Sequence, residues 1–423
     1  MDFDVRPKRN LLGMCCGLKD GNNYWCLSSI FDGLYKMDLQ TGEVEFVVEL
    51  PEKNIFGKQM YSEILRYKNS LYMIPYFADN VAVVNINTFD VSVIVLENKL
   101  LEQKKIESEK YHSWSIAGGC IYKNWLILYP GMGTYIYRIE LDTKFIKKLC
   151  FTEEVQRYYA NSIYSDYYID QGSHYLKDTY LYIPLSCMDA VIKLDIQNFK
   201  IKYYYIDNNN TGYCAIAYAN KTFWLAPKRK GAFVRWDELN NKIIRMEQYP
   251  LGFERKEWRS FLRMIPYKDK VYVLPCYANM LLIIDAKKNI LLDGSFEKIT
   301  DRDYEKHMYM ESTMLVRSVQ LYGDDLFIIS GLANELIVYN LTENIRYIYC
   351  PQNDTEKYEK DIDKIRHFME EALLDGPRLI EERYYFDNGD YIGWTIKQKA
   401  SDFKVATSYI GGRIYENCVK GMQ

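Results

Sequence analysis

Histidine is nearly absent from this chain, with 4 in 423 residues, which leaves little room for a multi-histidine metal centre. Glycine (23) and proline (11) are too sparse for a collagen-like or low-complexity chain. No apolar run reaches the roughly 18 residues of a membrane-spanning helix. The first ten residues, MDFDVRPKRN, are charged and lack the apolar stretch of a secretion signal. Neither sign of charge dominates, since 54 Lys and Arg face 57 Asp and Glu for a net charge of −3. That balance argues against a nucleic-acid partner or a membrane-surface role, although a local basic patch remains compatible with it. Standard chemistry motifs are missing too: there is no Walker loop, G-x-G-x-x-G, G-x-S-x-G or H-E-x-x-H. No cofactor and no metal ligand set is implied. A missing local motif does not exclude an enzyme whose site gathers residues from distant parts of the chain.

Cysteine is present but unpatterned. Cys15, Cys16, Cys26, Cys120, Cys150, Cys187, Cys214, Cys276, Cys350 and Cys418 form no C-x-x-C pair, and most lie in apolar, strand-like runs. They read as reduced, buried thiols of a cytoplasmic protein without membrane insertion. In a regular strand Cys15 and Cys16 point to opposite faces, which disfavours a shared metal.

What the chain has in excess is tyrosine, 40 against 18 Phe and 7 Trp, and an internal repeat. Residues 69–86 (NSLYMIPYFADNVAVVNI), 269–286 (DKVYVLPCYANMLLIIDA) and 324–341 (DDLFIISGLANELIVYNL) share one form. It is an Asn or Asp, an apolar run, a Pro or Ser, a short polar turn, a second apolar run, and a closing Asp or Asn. The same form recurs at 22–39, 124–141, 178–196 and, more loosely, 220–238. The Pro/Ser anchors are Ser28, Pro75, Pro130, Pro184, Pro227, Pro275 and Ser330, spaced 43 to 55 residues apart. Ten residues past the anchor stand Asp38, Asn85, Glu140, Asp237, Asp285 and Asn340, and the fourth copy has Asp195 at eleven.

The form predicts a hairpin. Residues at anchor −3 and −1 share a strand face, proline ends that strand because it cannot donate to a central ladder, and the Asp or Asn closes the next strand. A third strand follows (Glu43–Val48, Lys200–Ile206). A fourth precedes each copy, at Leu11–Leu18, Tyr61–Tyr67, Ser115–Tyr122, Tyr168–Leu176, Gly212–Ala219, Ser260–Tyr267 and Thr313–Leu321. Four strands at a period near 50 are what β-propeller blades look like.

On these residues the chain resembles the β-propeller superfamily, in particular seven-bladed kelch-like or lactonase/quinoprotein-like propellers, over residues 11–350. The resemblance lies in period and strand pattern. The double glycine of kelch blades is missing, Gly118-Gly119 falling in the first strand of its unit, and Trp236-Asp237 mimics a WD dipeptide once only. It implies an all-β fold of seven four-stranded blades and implies no catalytic residue. Residues 351–423 form a C-terminal extension: a helix over 354–375 stopped by Gly376-Pro377, a hairpin turning at Asn388-Gly389, and a last strand near Tyr409–Cys418.

In such a ring the turns after the anchors and the loops between blades open on one face around the central channel. That face holds the candidate ligand-binding residues Tyr111, His112, Trp114, Tyr158, Tyr159, Tyr213, Lys228, Arg229, Trp258, Arg259 and His307. Tyrosine and tryptophan offer flat apolar faces with a polar tip, and arginine offers forked donors. The same aromatics can equally serve as blade packing, and Lys228-Arg229-Lys230 as a solvated turn. The function read from this arrangement is a non-enzymatic binding module or scaffold for a protein or carbohydrate-like ligand at the channel mouth. The alternative is a carbohydrate-active lyase or hydrolase, with His112 and His307 meeting Glu63 or Glu311 across the channel. His174 reads as a strand-edge residue.

Overall fold

The structure is a computed structural model and describes residues 12–28, 33–52, 59–97, 116–161, 168–207, 211–255, 259–294, 315–331 and 335–352. The expected C-terminal helix, hairpin and last strand lie outside the described residues. Seven four-stranded antiparallel sheets follow one another along the chain, each in the order in which its strands occur. Blade 1 holds β1 (Met14–Asp20), β2 (Asn23–Ser28), β3 (Leu34–Asp38) and β4 (Val44–Val48). Blade 2 holds β5 (Tyr61–Tyr67), β6 (Ser70–Pro75), β7 (Val81–Asn85) and β8 (Val91–Ile94). Blade 3 holds β9 (Ile116–Tyr122), β10 (Trp125–Pro130), β11 (Tyr135–Glu140) and β12 (Ile146–Cys150). Blade 4 holds β13 (Tyr175–Lys177), β14 (Tyr180–Pro184), β15 (Ala190–Asp195) and β16 (Lys200–Tyr205). Blade 5 holds β17 (Tyr213–Ala219), β18 (Thr222–Pro227), β19 (Phe233–Asp237) and β20 (Lys242–Met246). Blade 6 holds β21 (Phe261–Tyr267), β22 (Lys270–Pro275), β23 (Leu282–Asp285) and β24 (Ile290–Asp293). Blade 7 holds β25 (Val316–Tyr322), β26 (Asp325–Ser330), β27 (Leu336–Asn340) and β28 (Ile345–Tyr349).

Every anchor residue is the last residue of the second strand of its blade, and every closing Asp, Asn or Glu is the last of the third. The reason for the closing residue is a turn. The side-chain oxygens of Asp38, Asn85, Asp195, Asp237, Asp285 and Asn340 each accept the backbone N–H groups two and three residues on. Such an Asx turn folds the chain back toward the outer strand. The residue four positions on has a left-handed φ in all seven blades: Gly42, Phe89, Lys144, Phe199, Asn241, Asn289 and Asn344. Glu140, one methylene longer, instead accepts the Thr143 hydroxyl at 2.6 Å.

Among the described residues the core is divided between blades. Seven apolar clusters each draw on two neighbouring blades, the last joining blade 7 to blade 1. No blade could bury its faces alone, as in other repeat proteins. Tyr24, Tyr72, Tyr129, Tyr182 and Tyr272 are all at most 5% exposed within these seams, so much of the tyrosine excess is scaffold.

Four local expectations need correction. A β-bulge at Cys15 breaks the alternation of β1, so both Cys15 and Cys16 aim their sulfur atoms at the Tyr61 carbonyl rather than to opposite faces. Cys150 and Cys350 are exposed. The fourth inner strand is reduced to β13, and 168–174 runs as irregular backbone in its place. The inter-blade connection that carries Tyr158 and Tyr159, expected as a loop, contains helix α1 (Glu153–Asn161), with Glu153 and Glu154 in its first turn and Val155 and Tyr159 buried one turn apart. No helix among the described residues is long and apolar enough to cross a membrane.

Candidate functional site at the channel mouth

Each inner strand starts, and each second strand ends, on the face that carries the inter-blade connections. Asp170, just ahead of β13, Arg259, just ahead of β21, and Lys228, just after β18, therefore share one rim of the ring. They meet there. Asp170 is fully buried; its Oδ2 accepts the Ser186 hydroxyl at 2.7 Å and lies 3.8 Å from Lys228 Nζ, and its Oδ1 lies 3.7 Å from Arg259 Nε. Arg259 Nη2 also donates to the Gln171 carbonyl at 2.6 Å. Both cations are almost entirely buried. A buried carboxylate is tolerable in such company, because charge and hydroxyl contacts replace the water it has lost.

A second carboxylate shapes the same rim. Asp189 Oδ1 accepts the Thr211 N–H and hydroxyl and the Gly212 N–H, pinning the chain as it enters blade 5. Gly212 has a φ of +63°, and a Cβ there would fall on the Ser186 carbonyl, so this connection requires glycine.

Deeper in the bore lies a tier set by the bulges that open six of the seven inner strands. The residue after each bulge pairs opposite the residue preceding the anchor: Cys16, Glu63, Gly118, Ala215, Arg263 and Ser318. His174, preceding Tyr175 of β13, stands at the matching place in blade 4. Most of these side chains are small; Glu63 and Arg263 are not, and they form an ion pair of 2.7 Å. His174 Nδ1 is hydrogen-bonded to Tyr129 Oη at 2.8 Å. Burial, with the Arg263 charge adding to it, pushes the His174 pKa down to about 3, so the ring is neutral. Burial raises the thiols of Cys26 and Cys214, and pushes Cys120 up to about 12, which keeps these sulfurs protonated and poorly nucleophilic.

Of the residues picked from sequence, Lys228 and Arg259 are brought together, around a partner, Asp170, that sequence reasoning missed. Arg229 is part-exposed on the same turn, and Tyr158 on α1 is 36% exposed. Tyr159 is buried and stacks on Tyr168 with centroids 3.7 Å apart, and Tyr213 is buried between blades 4 and 5. Tyr111, His112, Trp114, Trp258 and His307 lie outside the described residues, as does Glu311. Glu63 does face the bore, but its partner is Arg263. His174 is a bore residue rather than a strand-edge one, because the irregular backbone of 168–174 turns it inward. Among the described residues no group of three or more His, Cys, Asp and Glu side chains is arranged to hold a metal ion.

Seven four-stranded blades around a side-chain-lined axis define a seven-bladed β-propeller. No protein-family model and no curated protein matches the sequence. Among solved structures the chain is similar to virginiamycin B lyase from Staphylococcus aureus, with a TM-score of 0.53 and 12% identity over 76% of this chain and 94% of that one. A streptogramin B lyase gives 0.53 and 10% identity over 77% and 93%, and the computationally designed Ika8 protein gives 0.51 and 9% over 82% and 90%. Likeness at this identity concerns the fold, and function has to be argued from the site.

Proposed function

We propose that this propeller is a non-enzymatic binding module that recognises a protein or carbohydrate-like ligand on its channel-mouth face. The observation that carries the reading is how the ionisable residues of the bore are engaged. Glu63 is held by Arg263, His174 by Tyr129, and Asp170 by Ser186 between two buried cations. A general acid or base works best with a pKa near the working pH, and His174 has been pushed far below it. These groups stiffen the rim and the tier below it. The same rim displays Arg157, Tyr158 and Lys230 to solvent. An exposed tyrosine on a rim that also carries cations, with the Arg229 charge acting on its hydroxyl, suits a hydroxylated ring or a polar protein surface.

The test is to apply the full-length protein to a panel of neutral and acidic oligosaccharides, beside a folded Tyr158→Ala/Lys230→Glu variant. A bound saccharide that survives incubation chemically intact, and whose affinity drops about tenfold or more in the variant, supports the reading. A saccharide bound equally by both proteins places recognition elsewhere, and one that is cleaved overturns the non-enzymatic assignment.

A further inference from the structure

Each blade takes its four strands from one continuous stretch of chain, so among the described residues blades 7 and 1 share no strand across the point where the ring closes. Among the described residues the seam between them is held by side chains and by hydrogen bonds that include two to carbonyls. Tyr24 stacks on Phe327 with centroids 5.7 Å apart, Tyr349 Oη donates to the Leu39 carbonyl at 2.8 Å, and Leu12 N donates to the Pro351 carbonyl at 3.2 Å. The other six joints are continued by the chain itself. Across this one the described residues show no chain continuity.

One side chain crosses the axis. Arg263, in blade 6, donates from Nη2 to Glu63 Oε1 in blade 2 at 2.7 Å, from Nη1 to the Val319 carbonyl in blade 7 at 3.2 Å, and from Nε to the Gly172 carbonyl ahead of blade 4 at 3.0 Å. Glu63 Oε2 accepts Gly119 N–H from blade 3 at 3.2 Å. Blades 2 and 7 flank blade 1 on its two sides, so this fork grips both neighbours of blade 1 at once. The surrounding positions make room for it: the equivalent residues in four other blades are Cys16, Gly118, Ala215 and Ser318, and Gly172 has a left-handed φ of +70° where the guanidinium rests. Both charged side chains are at most 20% exposed, where a forked, charge-assisted contact is stronger than at a surface.

We propose that the Arg263–Glu63 pair is an axial latch that keeps the ring shut at the blade 7–blade 1 seam, in place of an exchanged strand. The latch makes opening of the ring a local event at that seam, controlled from the bore.

Hydrogen exchange read by mass spectrometry on the full chain tests this, comparing wild type with Arg263→Gln, Glu63→Gln and the double variant. The latch predicts that exchange in β1 and β25 accelerates by about tenfold or more in each single variant, while β18 and β19 of blade 5 change by less than about threefold. The double variant should exchange no faster at the seam than the faster single one. Equal acceleration in every blade would mean the pair merely adds stability, and no acceleration would mean the seam holds itself; either overturns the proposal. Should Arg263→Gln fail to fold, Arg263→Lys keeps a charge for Glu63 but loses the fork to the Val319 and Gly172 carbonyls, and the same blade-by-blade comparison decides.

Discussion

Replacing His174 by Gln should make this protein more resistant to acid than the wild type. In the fold His174 is neutral, with its pKa held at about 3 by burial and by the Arg263 charge, whereas its ordinary value is 6.5. Below pH 6.5 the unfolded chain takes up a proton on this histidine that the folded chain refuses. The unfolded state is then favoured more with each step down in pH, and the effect saturates near pH 3. The slope is at most about 1.4 kcal/mol per pH unit, so the wild type should lose about 2 kcal/mol at pH 5 on this account relative to pH 8. Part of the ring remains accessible from the bore, and water there can only reduce the figure. Glutamine offers both a donor and an acceptor to Tyr129 and has no proton to gain. Urea denaturation of both proteins at pH 8, 6 and 5 isolates the effect, because other titrating groups cancel in the difference between variants. If that difference stays constant from pH 8 to pH 5, His174 is not a buried neutral group and the reasoning about the bore fails.

Three further outcomes follow from the geometry. Asp170→Asn leaves Lys228 and Arg259 beside a neutral amide in a buried site and should cost about 3–5 kcal/mol, read by urea denaturation; a loss below about 1 kcal/mol would show the cluster to be well solvated. Lys144→Gly, at an exposed position with a φ of 59°, should stabilise by about 1 kcal/mol, since glycine has no steric penalty there; unchanged thermal unfolding would count against the turn assignment. Gly212→Ala combines a left-handed φ with a collision on the Ser186 carbonyl and should destabilise by about 3 kcal/mol, so a variant as stable as wild type would contradict the backbone path between blades 4 and 5.

The fold was largely legible in the sequence because its determinants are local. A proline at a strand end, present in five blades, and an Asp or Asn two residues ahead of the backbone groups it caps, present in six, act within a few residues. The misreadings also have local causes. The bulge at Cys15 inserts one residue into the alternation and returns two adjacent cysteines to one side. Helix α1 was hidden by its brevity, although the pair of glutamates followed by Val155 and Tyr159 one turn apart is a helix start signal.

The site was legible only in part. Lys228 and Arg259 stood out as basic residues on the right face, while Asp170 looked like any other carboxylate until blades 4, 5 and 6 brought it between them. Glu63 and Arg263 are 200 residues apart, and nothing in either neighbourhood announces the other. By itself the sequence determined the blade count, the strand ends and the turns, since those rest on short-range hydrogen bonding and on the conformational limits of single residues. Which side chains meet around the axis was decided by the tertiary structure alone. Closing seven blades into a ring brings positions from distant repeats within hydrogen-bond reach, and that proximity depends on the curvature of the whole ring rather than on any one repeat.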